Sequence, residues 1–208
     1  MHVAEGVLSL PVLFTGATTA VVGVFWGLKK LPAQRLMLAG LLGAVFFLAS
    51  LIHIHIGVGS AHLIMNGVIG ILLGSASFPV IFIALLLQAV LLQFGGLTVL
   101  GVNTATMGIG SVLAGYLFHQ IIKSSSQKKR TLCIASFIAG FSAVLISGLL
   151  TAVALAVSHE SFQIVAMTIF LSNLPIMVIE GFVTIFIILY ISKTEPRLLY
   201  QQRDKSDD

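Results

Sequence analysis

The chain has 208 residues, of which 58% are hydrophobic and only 9% charged, with a formal net charge of +4 and a mean hydropathy of +1.10. Soluble domains are about a quarter charged, so these figures exclude a water-soluble globule, a disordered chain and, with Cys133 the sole cysteine, a disulfide scaffold. What remains is an all-α, polytopic helical membrane bundle in which residues 1–208 form a single integral domain.

Seven apolar stretches follow one another along the chain: Pro11–Leu28, Leu36–Ile52, His62–Leu73, Pro79–Gln93, Thr104–Ile121, Leu132–Val157 and Phe162–Ile191. Each is apolar all round, as a helix in lipid must be, rather than amphipathic like a surface helix. About 20 residues cross the hydrocarbon core, so the third stretch is short. It reads as a tilted or broken helix, or as half of a hairpin with the fourth.

The eleven Lys and Arg residues fall between stretches one and two (Lys29, Lys30, Arg35), between five and six (Lys123, Lys128, Lys129, Arg130), and after seven (Lys193, Arg197, Arg203, Lys205). With seven crossings all of them share one face, which the positive-inside rule assigns to the cytoplasm. The N-terminus is then outside, the C-terminus inside, and residues 193–208 form a cytoplasmic tail. The basic balance is this bias and calls for no nucleic-acid partner. The start of the chain lacks the basic region and cleavage site of a secretory signal, so Met1 is expected to be the mature N-terminus.

Five of the six histidines, His2, His53, His55, His62 and His159, lie on the face opposite the cations, with Glu5 and Glu160. Imidazole suits late transition metals, whereas Mg2+ and Ca2+ favour clustered carboxylates. A histidine at position two adds a particular chemistry. The free amine of Met1, the deprotonated amide nitrogen of His2 and its imidazole Nδ1 can close adjacent chelate rings. The planar peptide makes that set flat, which suits Ni2+ or Cu2+ and disfavours tetrahedral Zn2+. One in-plane position is left, for which His62 is the first candidate. His53 and His55 alternate as in an extended segment and are candidate relay or supporting groups.

Other polar residues stand in unusual places. Asn66 is one helical turn beyond His62. Gln93, Asn103 and Thr104 belong to or border a glycine-rich segment, Gln93–Thr104, whose irregular backbone is tolerated near a bilayer only where protein or water satisfies it. Glu180 interrupts the seventh stretch, and an intramembrane carboxylate is a functional candidate by default; a structural helix–helix hydrogen bond is an equal alternative. No G-x-x-x-x-G-K-[ST] occurs, hence no phosphate-cradling loop for ATP. H-E-x-x-H is also absent, and Ser60 beside His62 lacks an orienting acid for hydrolase chemistry.

These residues together resemble the CbiM/NikM family, the substrate-binding membrane subunits of energy-coupling-factor transporters for nickel or cobalt. The matching pieces are Met1-His2 with Glu5-Gly6; Gly59-Ser60-Ala61-His62-Leu63 leading to Asn66-Gly67 and Gly70; Phe94-Gly95-Gly96-Leu97-Thr98 with Gly101, Asn103, Thr104 and Met107; and Leu174-Pro175 with Ile179-Glu180-Gly181 and Thr184. The resemblance implies a multi-pass protein of a prokaryotic plasma membrane that captures Ni2+ or Co2+ as transported substrate, with no permanent cofactor. It implies Met1, His2 and His62 as metal ligands. It also implies partners: a transmembrane coupling subunit, separate ABC-type ATPases and, in some members, a small auxiliary membrane protein. Two other readings stay open: a stand-alone channel or proton-coupled carrier using Glu180, and a metal-dependent membrane enzyme.

Overall fold

A computed structural model describes residues 3–56, 59–123, 129–158, 167, 168, 170, 171 and 173–200. Among the described residues the helices include α1 (Leu10–Lys30), α2 (Leu36–Ala49), α3 (Asn66–Leu73), α4 (Ser77–Leu87), α5 (Leu100–Lys123), α6 (Lys129–Ser158), α7 (Leu174–Thr194) and the short α8 (Arg197–Tyr200). A two-stranded ribbon, β1 (His53–Ile56) with β2 (Gly59–His62), is inserted between α2 and α3. Pro11 and Pro175 sit in the first turns of α1 and α7, where a missing N–H costs nothing. Among the described residues, five helical runs are long and apolar enough to cross a membrane, counting Asn66–Leu92 as one, and Ala33–Ala49 is a shorter apolar helix.

Within that run the chain reverses. Ser111 Oγ donates to Asn66 O at 2.7 Å and His119 Nε2 meets Ile71 O at 3.1 Å, so α3 runs in the direction of α5. Ser75, just ahead of α4, packs against Gly27 near the end of α1, whereas Gly96, beyond the far end of α4, packs against Glu5 ahead of α1, so α4 runs against α1. Helix α1 in turn runs with α5, because Gly16 faces Val102 and both Gly23 and Gly108 face Phe78. Helices α3 and α4 are therefore antiparallel arms, joined by a 3-10 turn at Gly74–Ala76 where Gly74 has φ +57°. Of the options for the third stretch, half of a hairpin is the one realised. With eight residues α3 is about 12 Å long and does not span the core alone.

Bringing α3 into the bundle requires small residues. A Cβ on Gly70 would strike Ser111 O, one on Gly115 would strike Gly70 O, and one on Gly67 would strike the backbone of Gly140. Lipid supplies little hydrophobic drive between helices, so close backbone approach does much of the packing. All eight residues of α3 are buried. By contrast α1 turns Leu10, Phe14, Val21, Val22, Phe25 and Trp26 outward.

The described cations gather at the end where α1 and α5 finish and α6 begins. There Arg35 Nη1 donates to Leu72 O at 3.0 Å, tying the hairpin tip, and Lys29 and Lys30 lie over the rings of Phe25 and Trp26. The tail expected from residue 193 is not wholly free of the bundle. Helix α7 continues to Thr194, and Leu199 of α8 is buried in the main core.

Candidate metal-capture site

At the opposite end, the segment ahead of α1 is fastened to the start of α5. Asn103 accepts a hydrogen bond from Val3 N–H at 3.1 Å on its Oδ1, and its Nδ2 donates to Val3 O at 3.4 Å. A primary amide is the side chain that presents a donor and an acceptor side by side, as a backbone residue does. Val3 and Leu8 are buried with Val99, Val102 and Leu155 in a satellite apolar cluster. Two residues on, Glu5 Oε1 accepts from Thr98 N at 3.0 Å and Thr98 Oγ1 at 3.2 Å. The Thr98 amide holds the Glu5 carboxyl below the ordinary carboxylate range; partial desolvation opposes it and the hydroxyl adds to it. Gly96, at φ +136°, leaves the space that the Glu5 side chain fills.

Met1 and His2 lie outside the described residues, so the proposed three-nitrogen chelate adjoins an anchored residue, Val3, without being described itself. Of the residues read as ordering the loop, Asn103 holds Val3. Thr104 is buried, and its hydroxyl has no hydrogen-bond partner among the described residues. Gln93 is exposed at φ +57°, where the chain leaves a π turn, Gln88–Leu92, that ends the α4 arm.

The loop histidines lie on the ribbon. Its antiparallel register pairs His53 with His62, Ile54 with Ala61, His55 with Ser60 and Ile56 with Gly59. The extended character expected for His53 and His55 is thus the backbone conformation of β1. His159 and Glu160 lie outside the described residues. Among the described residues no three His, Cys, Asp or Glu side chains come together.

Beyond His62 the chain enters α3 through Met65 at φ +61°, a left-handed conformation unusual for a non-glycine residue. Glu180 of α7, fully buried, receives the amides of this junction. Ile64 N–H donates to its Oε1, and Met65 N–H donates to Oε1 at 2.9 Å and Oε2 at 3.1 Å. The next residue, Asn66, donates from Nδ2 to Ser147 Oγ at 3.0 Å and Ala143 O at 3.4 Å, while its backbone carbonyl accepts from Ser111. From α7, Glu180 thus hydrogen-bonds the backbone of the ribbon-to-helix junction. Its partners are backbone amides, which carry no mark in the sequence. The roles of Ser111, Ser147 and Thr98 were also hidden there, since isolated hydroxyls in apolar runs commonly bond back to their own helix.

The profile of the CbiM family, described as the cobalt uptake substrate-specific transmembrane region, matches residues 2–198. The chain belongs to this family. A Haemophilus influenzae protein whose name assigns it, provisionally, to metal transport is 37% identical over 200 residues, covering 96% of this chain and 97% of that one. The cobalt transport protein CbiM of Desulforamulus reducens is 33% identical over 204 residues, covering 90% and 79% of the two chains. A relative from Archaeoglobus fulgidus, provisionally named as a fused nickel transport protein NikMN, is 28% identical over 215 residues, covering 97% and 69%. A crystal structure of a transition metal transporter superposes with a TM-score of 0.75 at 20% identity over 98% of this chain and 100% of that one, a likeness of fold. As a CbiM-family chain, the protein is a multi-pass membrane component of cobalt and nickel transport rather than an enzyme, with the metal as transported substrate.

Proposed function

We propose that this CbiM-family subunit captures Ni2+ or Co2+ with high affinity on the outer side of the membrane. Met1 amine, His2 amide nitrogen and His2 Nδ1 supply three in-plane ligands, and His62 supplies the fourth. The observation that carries the reading is the double hydrogen bond from Asn103 to both backbone groups of Val3, the residue next to His2. That buried amide fixes the backbone one residue from His2 and so limits where the proposed ligands can lie. Holding Val3 pre-pays the entropy of ordering a terminal chelate, which favours binding.

In this reading the N-terminus is outside and the cation-rich end is cytoplasmic, where partners engage. Hydrolysis of ATP belongs to separate ABC-type ATPases acting through a transmembrane coupling subunit, in keeping with the absence of a phosphate loop. The fused relative supports partnership with further transporter components, and a small auxiliary membrane protein is among the candidates. Capture releases protons, because the amine, amide and imidazoles must all bind metal without theirs.

The test is metal titration of purified protein with its native N-terminus, beside a version carrying one extra residue before Met1. Tight one-to-one binding with a planar d–d absorption band only for the native terminus is expected, and His62→Ala should weaken it. Binding indifferent to both changes would refute the proposed ligand set. Metal uptake by the chain reconstituted alone, dependent on Glu180 and not on the Met1 amine, would favour a carrier instead.

A further inference from the structure

The geometry points to Glu180 as the positioning residue for the loop ligand: it holds the backbone that carries His62 without touching the metal. The inference rests on His62 being a ligand, as proposed above.

A helix begins with amides that have no partner within it, and a nearby acid complements the positive end of its dipole. Glu180 lies near that end of α3 but takes the amides of the two residues just ahead of it, Ile64 and Met65, from α7, 116 and 115 residues away in the chain. The bonds therefore fix where the ribbon-to-helix junction sits relative to the bundle.

The surroundings leave that anchor little slack. Glu180, Ile64 and Met65 are all buried, and both carboxylate oxygens are used. Gly140 of α6 lies so close to α7 that a Cβ there would strike Glu180 O and Thr184, and Gly67 of α3 abuts Gly140 in turn. Three helix backbones thus meet at the level of the anchor. Met65 adds a second sign, since a left-handed non-glycine residue persists only where its surroundings over-determine it. From the held amide of Ile64 back to His62 is two residues, at most about 7 Å of chain. His62 is consequently confined to a small region around a fixed point, and its approach to the fourth in-plane position is set by that point.

Glu180→Gln keeps the shape but replaces one acceptor with an NH2 that faces a backbone N–H. Supporting groups that orient a metal ligand typically change affinity by about 10–100-fold, and a loss of Ni2+ affinity in that range is expected. The absorption band should move toward that of His62→Ala, and adding Glu180→Gln to His62→Ala should cause no further loss. Wild-type affinity and spectrum in a folded Glu180→Gln protein would overturn the inference, as would losses that simply multiply in the double variant. If Glu180→Gln does not fold, hydrogen exchange on the unsubstituted protein decides. Coupling is reciprocal, so Ni2+ should slow exchange of the Ile64 and Met65 amides, and unchanged exchange would overturn the assignment. A capture site that is itself misread shows differently, as binding insensitive both to an extended N-terminus and to His62→Ala.

Discussion

Replacing Asn103 with Ala removes the two bonds that hold Val3 while leaving every proposed ligand atom in place. The Val3 amide becomes a buried, unpaired donor, which costs about 1–3 kcal/mol. The longer bond to Val3 O adds a fraction of the usual ~1 kcal/mol, and Ala regains up to about 0.7 kcal/mol in helix propensity. The segment need not accept this cost, because it can detach, losing the burial of Val3 and Leu8 in the cluster with Val99, Val102 and Leu155. That burial is worth about 1.5–3 kcal/mol for each such side chain, enough to keep a partly docked population. The net weakening of the docked N-terminus is therefore about 2 kcal/mol, or roughly 30-fold in apparent Ni2+ affinity. Competition titration against a chelator of known strength reads the affinity, and a thermal melt of the metal-free protein reads the fold. The melt should move little, since Asn103 lies in the first turn of α5 and the main core is untouched. An unchanged affinity in a protein that melts like wild type would refute the view that docking of Val3 prepares the site.

Other outcomes follow from the same geometry. Gly70→Ala would drive a Cβ into Ser111 O, a backbone atom that cannot swing aside, and should destabilise the protein by at least about 1–3 kcal/mol in a detergent melt. Gly40→Ala, with nothing near its added Cβ, should instead stabilise α2 by about 0.5–1 kcal/mol, and equal melts for the two variants would contradict the packing described for α3. The folded carboxyl of Glu5 is held below its ordinary value, so its contribution to docking is present above the ordinary carboxylate range and disappears as the pH falls through the lowered value. The Thr98 amide signal should titrate in that acidic window, and Glu5→Gln should abolish the titration. Arg35→Ala should remove the guanidinium's bond to the Leu72 carbonyl at the hairpin tip and speed hydrogen exchange in α3, whereas undisturbed exchange would mean the tip is held without it.

Much of the architecture was legible in one dimension because the bilayer acts on each segment separately. A stretch such as Leu132–Val157 must satisfy its own backbone in lipid, so composition alone marks it as a helix, and α6 spans it. The alternation of His53 and His55 likewise belongs to local backbone, and it appears as β1. The shortness of the third stretch was legible too, but not its outcome. A tilted helix and half a hairpin share the same hydropathy, and the choice was made by the turn at Gly74 and by Gly70, Gly115 and Gly67, which admit the short α3 arm among α5 and α6. The polar residues divide the same way. That Asn103 and Glu180 were exceptional could be read from their apolar settings. That one grips Val3, 100 residues earlier, and the other the amides of Ile64 and Met65 could not. Backbone N–H and C=O groups are alike in every residue, so a side chain's backbone partner leaves no trace in the sequence. Only the close approach of helices decides which of them comes within reach.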